Sequence, residues 1–452
     1  TINSGSGAIT LSGTIGVSAP LDALSINASG DAAALSIPQI GTGTAVGNAG
    51  TNGAVAIGNS ASQSVTLSAA GYKFGGGTTT ITSGSHLVTA ANAKIFTDGN
   101  ITIDPAAGSQ LKTTGAFAIT ATTADDTINI AGDILGVDSG GSNETITLQA
   151  GASSGTSGGT ITLGGDIATQ VESVSLKAAT AINLGGDITT VNVSNNDVTI
   201  TGPAILTANV DIDTSLNDGS IDFSSTINNA ASGGPFNLQL DTGSGAIGVT
   251  GVIGGSASIG TIDINQTDGA GVITLAGIGN GTTAAGNTGQ VDIGNSATAD
   301  HNLEGTFFTN GQTTYEASST AGATDENIDI TATTTFKTSD DALTFSTAAV
   351  DMADSANLTI TTGSGAVTMT DIHGHSNETV SITSTGAVSL QEIGNADEVG
   401  VVGVAGSTIT LNGNITTDAD GDVTLTGPVA VSYTHLRAHE TSLHLVCRLL
   451  LE

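Results

Sequence analysis

The chain has 452 residues, 64 of them glycine, with no tryptophan and a formal net charge of −34. Seven Lys plus Arg against 41 Asp plus Glu exclude an electrostatic partnership with nucleic acid and argue against direct binding to anionic lipid, since both need a basic surface. Hydrophobic residues at 38%, rich in Ile, Val and Leu, argue equally against a disordered chain. A long particle of one charge sign repels its copies and stays soluble. A surface rich in carboxylates and carbonyls could also hold divalent cations weakly. The one cysteine, Cys447, leaves no intrachain disulfide. No apolar run reaches the roughly 18 residues that a membrane-spanning helix needs. The chain begins Thr1-Ile2-Asn3, without Met or a signal peptide, and is expected to be a piece of something longer.

In chain order, short apolar alternations recur: Ile9-Thr10-Leu11, Val65-Thr66-Leu67, Ile101-Thr102-Ile103, Ile128-Asn129-Ile130, Ile146-Thr147-Leu148, Ile161-Thr162-Leu163 and onward to Val423-Thr424-Leu425. Each is too short for a helix and has period two, the strand signature. Clusters of Gly, Asn, Asp and Ser separate them and supply turns. The stretch Ile161-Thr162-Leu163-Gly164-Gly165-Asp166-Ile167 returns as Ile182-Asn183-Leu184-Gly185-Gly186-Asp187-Ile188, with Val174-Ser175-Leu176 between them. The unit reads as a strand, a glycine turn, a second strand and a return. The predicted fold is all-β: a parallel β-helix, or β-solenoid, of roughly 20 residues per coil. The handedness rule for parallel connections predicts a right-handed coil. A lone coil buries too little to offset its ordering entropy, so it must stack on neighbours. Roughly twenty coils at about 4.8 Å each would make a rod of about 100 Å.

Longer words also return. Ser6-Gly7-Ala8-Ile9 recurs as Ser244-Gly245-Ala246-Ile247, and in variant form as Ser364-Gly365-Ala366-Val367. Gly58-Asn59-Ser60-Ala61 recurs as Gly294-Asn295-Ser296-Ala297, and Ser142-Asn143-Glu144-Thr145 as Ser376-Asn377-Glu378-Thr379. Asp197-Val198-Thr199-Ile200-Thr201-Gly202-Pro203 recurs as Asp422-Val423-Thr424-Leu425-Thr426-Gly427-Pro428. These pairs predict a duplicated block of several coils, with halves near 1–235 and 236–431.

Residues 432–452 break the pattern. From Tyr433 onward there is no glycine, yet both arginines and the only cysteine are there, with three of the seven histidines. Leu436, Leu443, Val446 and Leu450 fall at helical spacing. The tail resembles a sequence that recurs at the ends of unrelated translated metagenomic fragments, where it looks like read-through of a library adapter. It is set aside as non-native, and the true protein is expected to continue past Val431.

Candidate chemistry is sparse. Asp125-Asp126 and Asp340-Asp341 are the paired carboxylates that a polysaccharide lyase or hydrolase would need. Adjacent strand residues face opposite ways, so each pair can share a site only in a turn. Asp371-Ile372-His373-Gly374-His375 could put three ligands on one strand face, but Gly374 and its polar surroundings favour an exposed turn. Asp418-Ala419-Asp420-Gly421-Asp422 has calcium-loop character without the bidentate Glu of an EF-hand. Asn143-Glu144-Thr145 could accept a glycan only in a suitable host. Thr160-Ile161-Thr162 starts a Thr ladder of the ice-binding kind, which Ala181-Ile182-Asn183 breaks. No catalytic, metal or cofactor residue is assigned. Specificity is expected where the coils depart from pattern, as at His301 to Tyr315 and Asp371 to His375.

Words such as Asp422-Val423-Thr424-Leu425-Thr426-Gly427-Pro428 and Ile409-Thr410-Leu411-Asn412-Gly413-Asn414-Ile415 resemble the repeats of large Gram-negative surface proteins. These are the filamentous-haemagglutinin-like and autotransporter-adhesin-like β-strand repeat proteins. The resemblance covers residues 1 to about 431 and lies in repeat style. It implies a structural stalk on the bacterial outer surface, used for adhesion or spacing, with no catalysis and an unknown glycan or protein ligand. The alternatives are a β-helix enzyme acting on polysaccharide, or a calcium-stabilised rod.

Overall fold

The chain winds into a β-solenoid of stacked parallel strands, with about 24 residues per turn. The computed structural model describes residues 1–27, 33–106, 108–137, 144–151, 158–191, 196–266, 269, 271–281, 283–319, 326–375, 377–394, 397–418 and 421–431. A full turn lays down three strands, and these stack into three sheets, here called I, II and III in chain order. One turn places Thr160–Leu163 in sheet I, Ile167–Ala168 in sheet II and Ser173–Ala178 in sheet III. The next places Ala181–Leu184, Ile188–Thr189 and Val198–Thr201 directly on them. The register pairs Ile161 with Ile182, Ile167 with Ile188 and Val174 with Val198. Sheet II is an 18-stranded ladder from Ile9–Thr10 to Val429–Val431. At about 4.8 Å per rung it spans about 80 Å.

The β-solenoid is as predicted, but the unit is larger than expected. The expected period comes from the turn between Ile161 and Ile182, and longer corner loops elsewhere raise the average. The sequence also hides sheet II. Its strands shrink to two residues at Ile167–Ala168 and Ile188–Thr189, too short to show an alternation, so they read as part of the glycine turn. Longer turns mean fewer turns, and hence a shorter rod.

Alternation fills the interior. Ile161, Leu163, Val174, Leu176, Ile182 and Leu184 are buried, while the residues between them face out. Each such burial contributes roughly 1.5–3 kcal/mol. In one region rings replace aliphatics: Tyr315 stacks on Phe345 at 5.1 Å and Phe307 on Phe336 at 5.0 Å. In the same region the corner between sheets III and I is lost. Asp300–Thr309 and Glu326–Thr338 run through both sheets, with irregular register between Leu303 and Gly305. Such a bulge bends a strand without breaking it.

Glycines at the corners admit the neighbouring turn. A Cβ on Gly185 would lie 2.6 Å from the Leu163 carbonyl oxygen. Gly202 and Gly427 also need positive φ, at 129° and 135°. A Cβ there would lie 1.8 Å and 2.1 Å from the carbonyl oxygens of Ala178 and Gly406. In both words the following Pro accepts a 2.8 Å backbone hydrogen bond from the turn before, at Pro203 from Ile182 and at Pro428 from Ile409.

The repeated words do not lie above one another. Val198–Thr201 is in sheet III, but its counterpart Val423–Thr426 is in sheet I. Gly58-Asn59 follows the sheet I strand Val55–Ile57, while Gly294-Asn295 follows the sheet II strand Val291–Ile293. Ile9 opens a sheet II strand and Ile247 a sheet III strand. Each later copy sits one face further round. The local structure is nevertheless the same: Asn59 Oδ1 accepts from Ala61 N and Asn295 Oδ1 from Ala297 N, both at 2.7 Å.

Ile182→Ala, in the middle of the stack, is expected to cost about 2–5 kcal/mol. Thr199→Ala, outward on sheet III, should cost less than about 0.5 kcal/mol. Urea unfolding of both variants checks the difference, and equal midpoints would contradict the inward and outward assignment.

Candidate functional site: a column of carboxylates on sheet II

Strict register turns a repeated outward residue into a column. On sheet II that residue is Asp. Asp133, Asp166, Asp187 and Asp211 stand on successive turns, each just before a buried Ile. The carboxylates of Asp133, Asp166 and Asp187 each accept the backbone N–H of the next Asp. Asp166 N donates to Asp133 Oδ1 at 3.1 Å, Asp187 N to Asp166 Oδ1 at 2.9 Å, and Asp211 N to Asp187 Oδ1 at 2.9 Å. The column continues through Gln239, Asp263 and Asp292. Beside it, Asp213 stands opposite Asp241.

Two shallow troughs run along this face. One of about 270 Å³ is flanked by Asp187, Asp211, Gln239 and Asp263. The other, of about 260 Å³, is flanked by Asp211, Asp213, Gln239 and Asp241. Burial pushes the Asp211 carboxyl up to about 6, and the charges of Asp241, Asp187, Asp213 and Asp263 add to the rise. Asp263 is likewise pushed up to about 6 by burial and then by Asp241 and Asp292. Burial also raises Asp292, against hydrogen bonds from Gln290 and Thr314. Oδ1 of Asp211 and of Asp263 has no hydrogen-bond partner among the described residues. Two carboxylates about 5 Å apart repel by about 3 kcal/mol at an effective dielectric of about 20. The column therefore favours protons and counter-ions. Among the described residues, no three or more His, Cys, Asp or Glu side chains converge in a way that could hold a metal ion.

The residues singled out from the sequence serve the stack. Asp340 Oδ1 accepts from Ser364 N at 2.9 Å, in the turn after. Asp341 Oδ2 accepts from Gly311 N at 2.7 Å, in the turn before. The adjacent carboxylates thus staple in opposite directions. Asp125 adopts a left-handed φ of 67°, and Asp126 Oδ2 accepts from Thr123 N at 3.1 Å. Asp371, His373 and His375 are not brought together as a metal set. Asp371 Oδ1 accepts from Glu392 N at 2.9 Å, His373 is buried opposite Asp351, and His375 Nδ1 meets the Met352 carbonyl at 2.9 Å. Some burial lowers the His375 pKa, but that carbonyl and the charges of Asp351, Asp397 and Glu378 outweigh it and hold it above the ordinary value.

Glu378 is buried, and its carboxylate accepts from Ser355 N at 2.9 Å and His375 N at 2.6 Å. Its repeat counterpart Glu144 is also buried, while Asn143 lies outside the described residues. So do Ala419, Asp420 and residues 432–452, which leaves Asp418, Gly421 and Asp422 as the described part of the calcium-like word. Thr162 stands between Asn129 and Asn183, and Asn183 Nδ2 donates to its hydroxyl at 3.0 Å. The His301 to Tyr315 stretch departs from pattern inside the coil. His301, Phe307 and Tyr315 are all buried. Burial pulls the His301 pKa down to about 4, partly offset by the Glu316 carbonyl on its Nε2. No described helix is long and apolar enough to cross a membrane.

Comparison with protein-family models, curated proteins and solved structures returned no match.

The acidic column makes stability depend on pH. A carboxyl raised when folded binds its proton more tightly than in the unfolded chain. Its penalty is full above about pH 6 and fades as pH falls towards the unfolded value near 4. Asp211→Asn combined with Asp263→Asn should therefore raise Tm at pH 7 and leave it nearly unchanged at pH 4. A melting series across that range checks it, and an equal shift at both pH values would contradict the column's role.

Proposed function

We propose that this chain is a stalk segment of a surface-displayed adhesin, a stiff acidic spacer whose function is length and separation. The single observation that carries the reading is the unbroken ladder of sheet II. One continuous set of interstrand hydrogen bonds and one continuous core run along the coil axis, so bending strains both. The prominent acidic words support the same reading, because Asp340, Asp341 and Asp371 commit their carboxylates to backbone N–H groups of adjacent turns. The acidic face supports it too, since stalks of one charge sign displayed side by side repel and stay apart. The repeat style of residues 1–431 suits filamentous-haemagglutinin-like and autotransporter-adhesin-like proteins. By that resemblance the site of action is the bacterial outer surface.

Removing residues 160–203 takes out two whole turns. The shortened chain is expected to fold and to lose about 10 Å of length, at about 4.8 Å per turn, by small-angle scattering. A chain that collapses or keeps its length would sink the spacer reading. The enzyme alternative is tested with neutral and acidic polysaccharides. Release of reducing or unsaturated ends that disappears in Asp211→Asn or Asp263→Asn would replace the stalk by a hydrolase or lyase.

A further inference from the structure

Among the described residues one salt bridge is present, between Lys73 Nζ and Asp98 Oδ1. It differs from an ordinary surface pair. Lys73 belongs to the sheet III strand Gly71–Phe74 and stands opposite Phe96 on the next turn. Its side chain is only 4% exposed, and that of Asp98 40%. The same carboxylate oxygen is gripped from the other side: Thr122 Oγ1, one turn further on, donates to Asp98 Oδ1 at 2.5 Å. The adjoining Thr123 hydroxyl donates to the Asp98 carbonyl at 3.3 Å. A second carboxyl shares this corner. Asp126 accepts from Thr123 N, and burial raises its pKa, with the charges of Asp98 and Asp125 adding to the rise against the Thr123 bonds. Three consecutive turns therefore hold one amine and one carboxyl in direct contact.

We propose that Lys73 Nζ and the Asp98 carboxyl condense spontaneously into an amide cross-link between two consecutive turns of sheet III. The reaction balances within the pair. The ammonium passes one proton to the carboxylate, and the freed Nζ lone pair forms the Nζ–Cγ bond. The Cγ–O bond then breaks, and the oxygen leaves as water with two of the three ammonium protons. The third stays on the amide nitrogen. No oxidant, nucleotide or second protein is needed. Three physical effects favour it. Burying the Lys73 ammonium carries a desolvation penalty, and a neutral amide removes it. Fixing two groups in contact is worth an effective concentration of about 10⁵–10⁸ M. The Thr122 hydroxyl sits on the carboxylate oxygen, where charge develops as nitrogen attacks. The product would bolt one turn to the next, so unzipping would have to stop there.

Intact-mass measurement of the whole chain decides it. The expected mass is one water below the sequence mass, and peptide mapping should find the residue 73 peptide joined to the residue 98 peptide. Asp98 precedes Gly99, and a succinimide there would also lose one water, so a second variant is needed. Lys73→Arg keeps the charge but lacks the amine nucleophile, and it should run at full mass. Asp98→Ala should do the same. A wild-type chain at full mass overturns the proposal, and so does a water deficit that survives Lys73→Arg. The peptide map of the unaltered chain separates cross-link from succinimide by itself, so the test holds even where a variant fails to fold.

Discussion

Everything in this molecule depends on the backbone hydrogen bonds between one turn and the next. A turn of about 24 residues makes few such bonds within itself. Its strand N–H and C=O groups point along the coil axis, and only the turns above and below can satisfy them. Ile182 N finds Pro203 O, Val198 N finds Ser220 O, and Ile221 N finds Ala246 O, each within 2.8–3.0 Å. The side chains follow the same rule. An inward Ile packs on the inward Ile of the next turn, and an outward Asp bonds the next backbone N–H. The stack is thus the unit of stability, and a turn is only its increment.

The corners keep the increment constant. Two turns can approach closely only where no Cβ intervenes, which explains glycine at Gly185, Gly202 and Gly427. Short polar side chains then satisfy the groups that a corner leaves over. Asn196 Nδ2 donates to the Thr214 carbonyl at 2.9 Å, and Thr242 Oγ1 to the Gly245 carbonyl at 2.7 Å. Register has a cost when the repeated residue is charged. The carboxylates of sheet II stand as close as the rungs allow, and burial leaves two of them poorly solvated. The fold tolerates this because the loss at each rung is small beside the core beneath it.

The strands and their stacking were legible from period-two alternation, because inward Ile, Val and Leu recur at most rungs of sheets I and III. The two-residue strands of sheet II were not, since Ile167–Ala168 and Ile188–Thr189 carry one inward residue each. The acidic column was half legible. Its signature is an Asp-Ile pair at Asp133, Asp166, Asp187, Asp211, Asp263 and Asp292, interrupted once by Gln239-Leu240. The spacing hides it: bonded partners lie 33, 21 and 24 residues apart, because the loops at the corners differ in length. The roles of Asp340 and Asp341 were hidden for another reason. Both bond along the axis, in opposite directions, and sequence adjacency says nothing about direction between turns. The pairing of Lys73 with Asp98 is of the same kind.

The one-face offset between repeated words says something about how such a rod can change length. A corner word that folds identically between sheets I and II and between sheets II and III does not encode which side of the triangle it occupies. It encodes only a bend followed by an inward residue. The natural quantum of growth is therefore one side and not one turn. Inserted chain that adds a single side rotates everything downstream by one face, yet every apolar residue still points to the axis. A coil with interchangeable sides can be cut and rejoined at any corner, which frees its length from the arithmetic of whole turns.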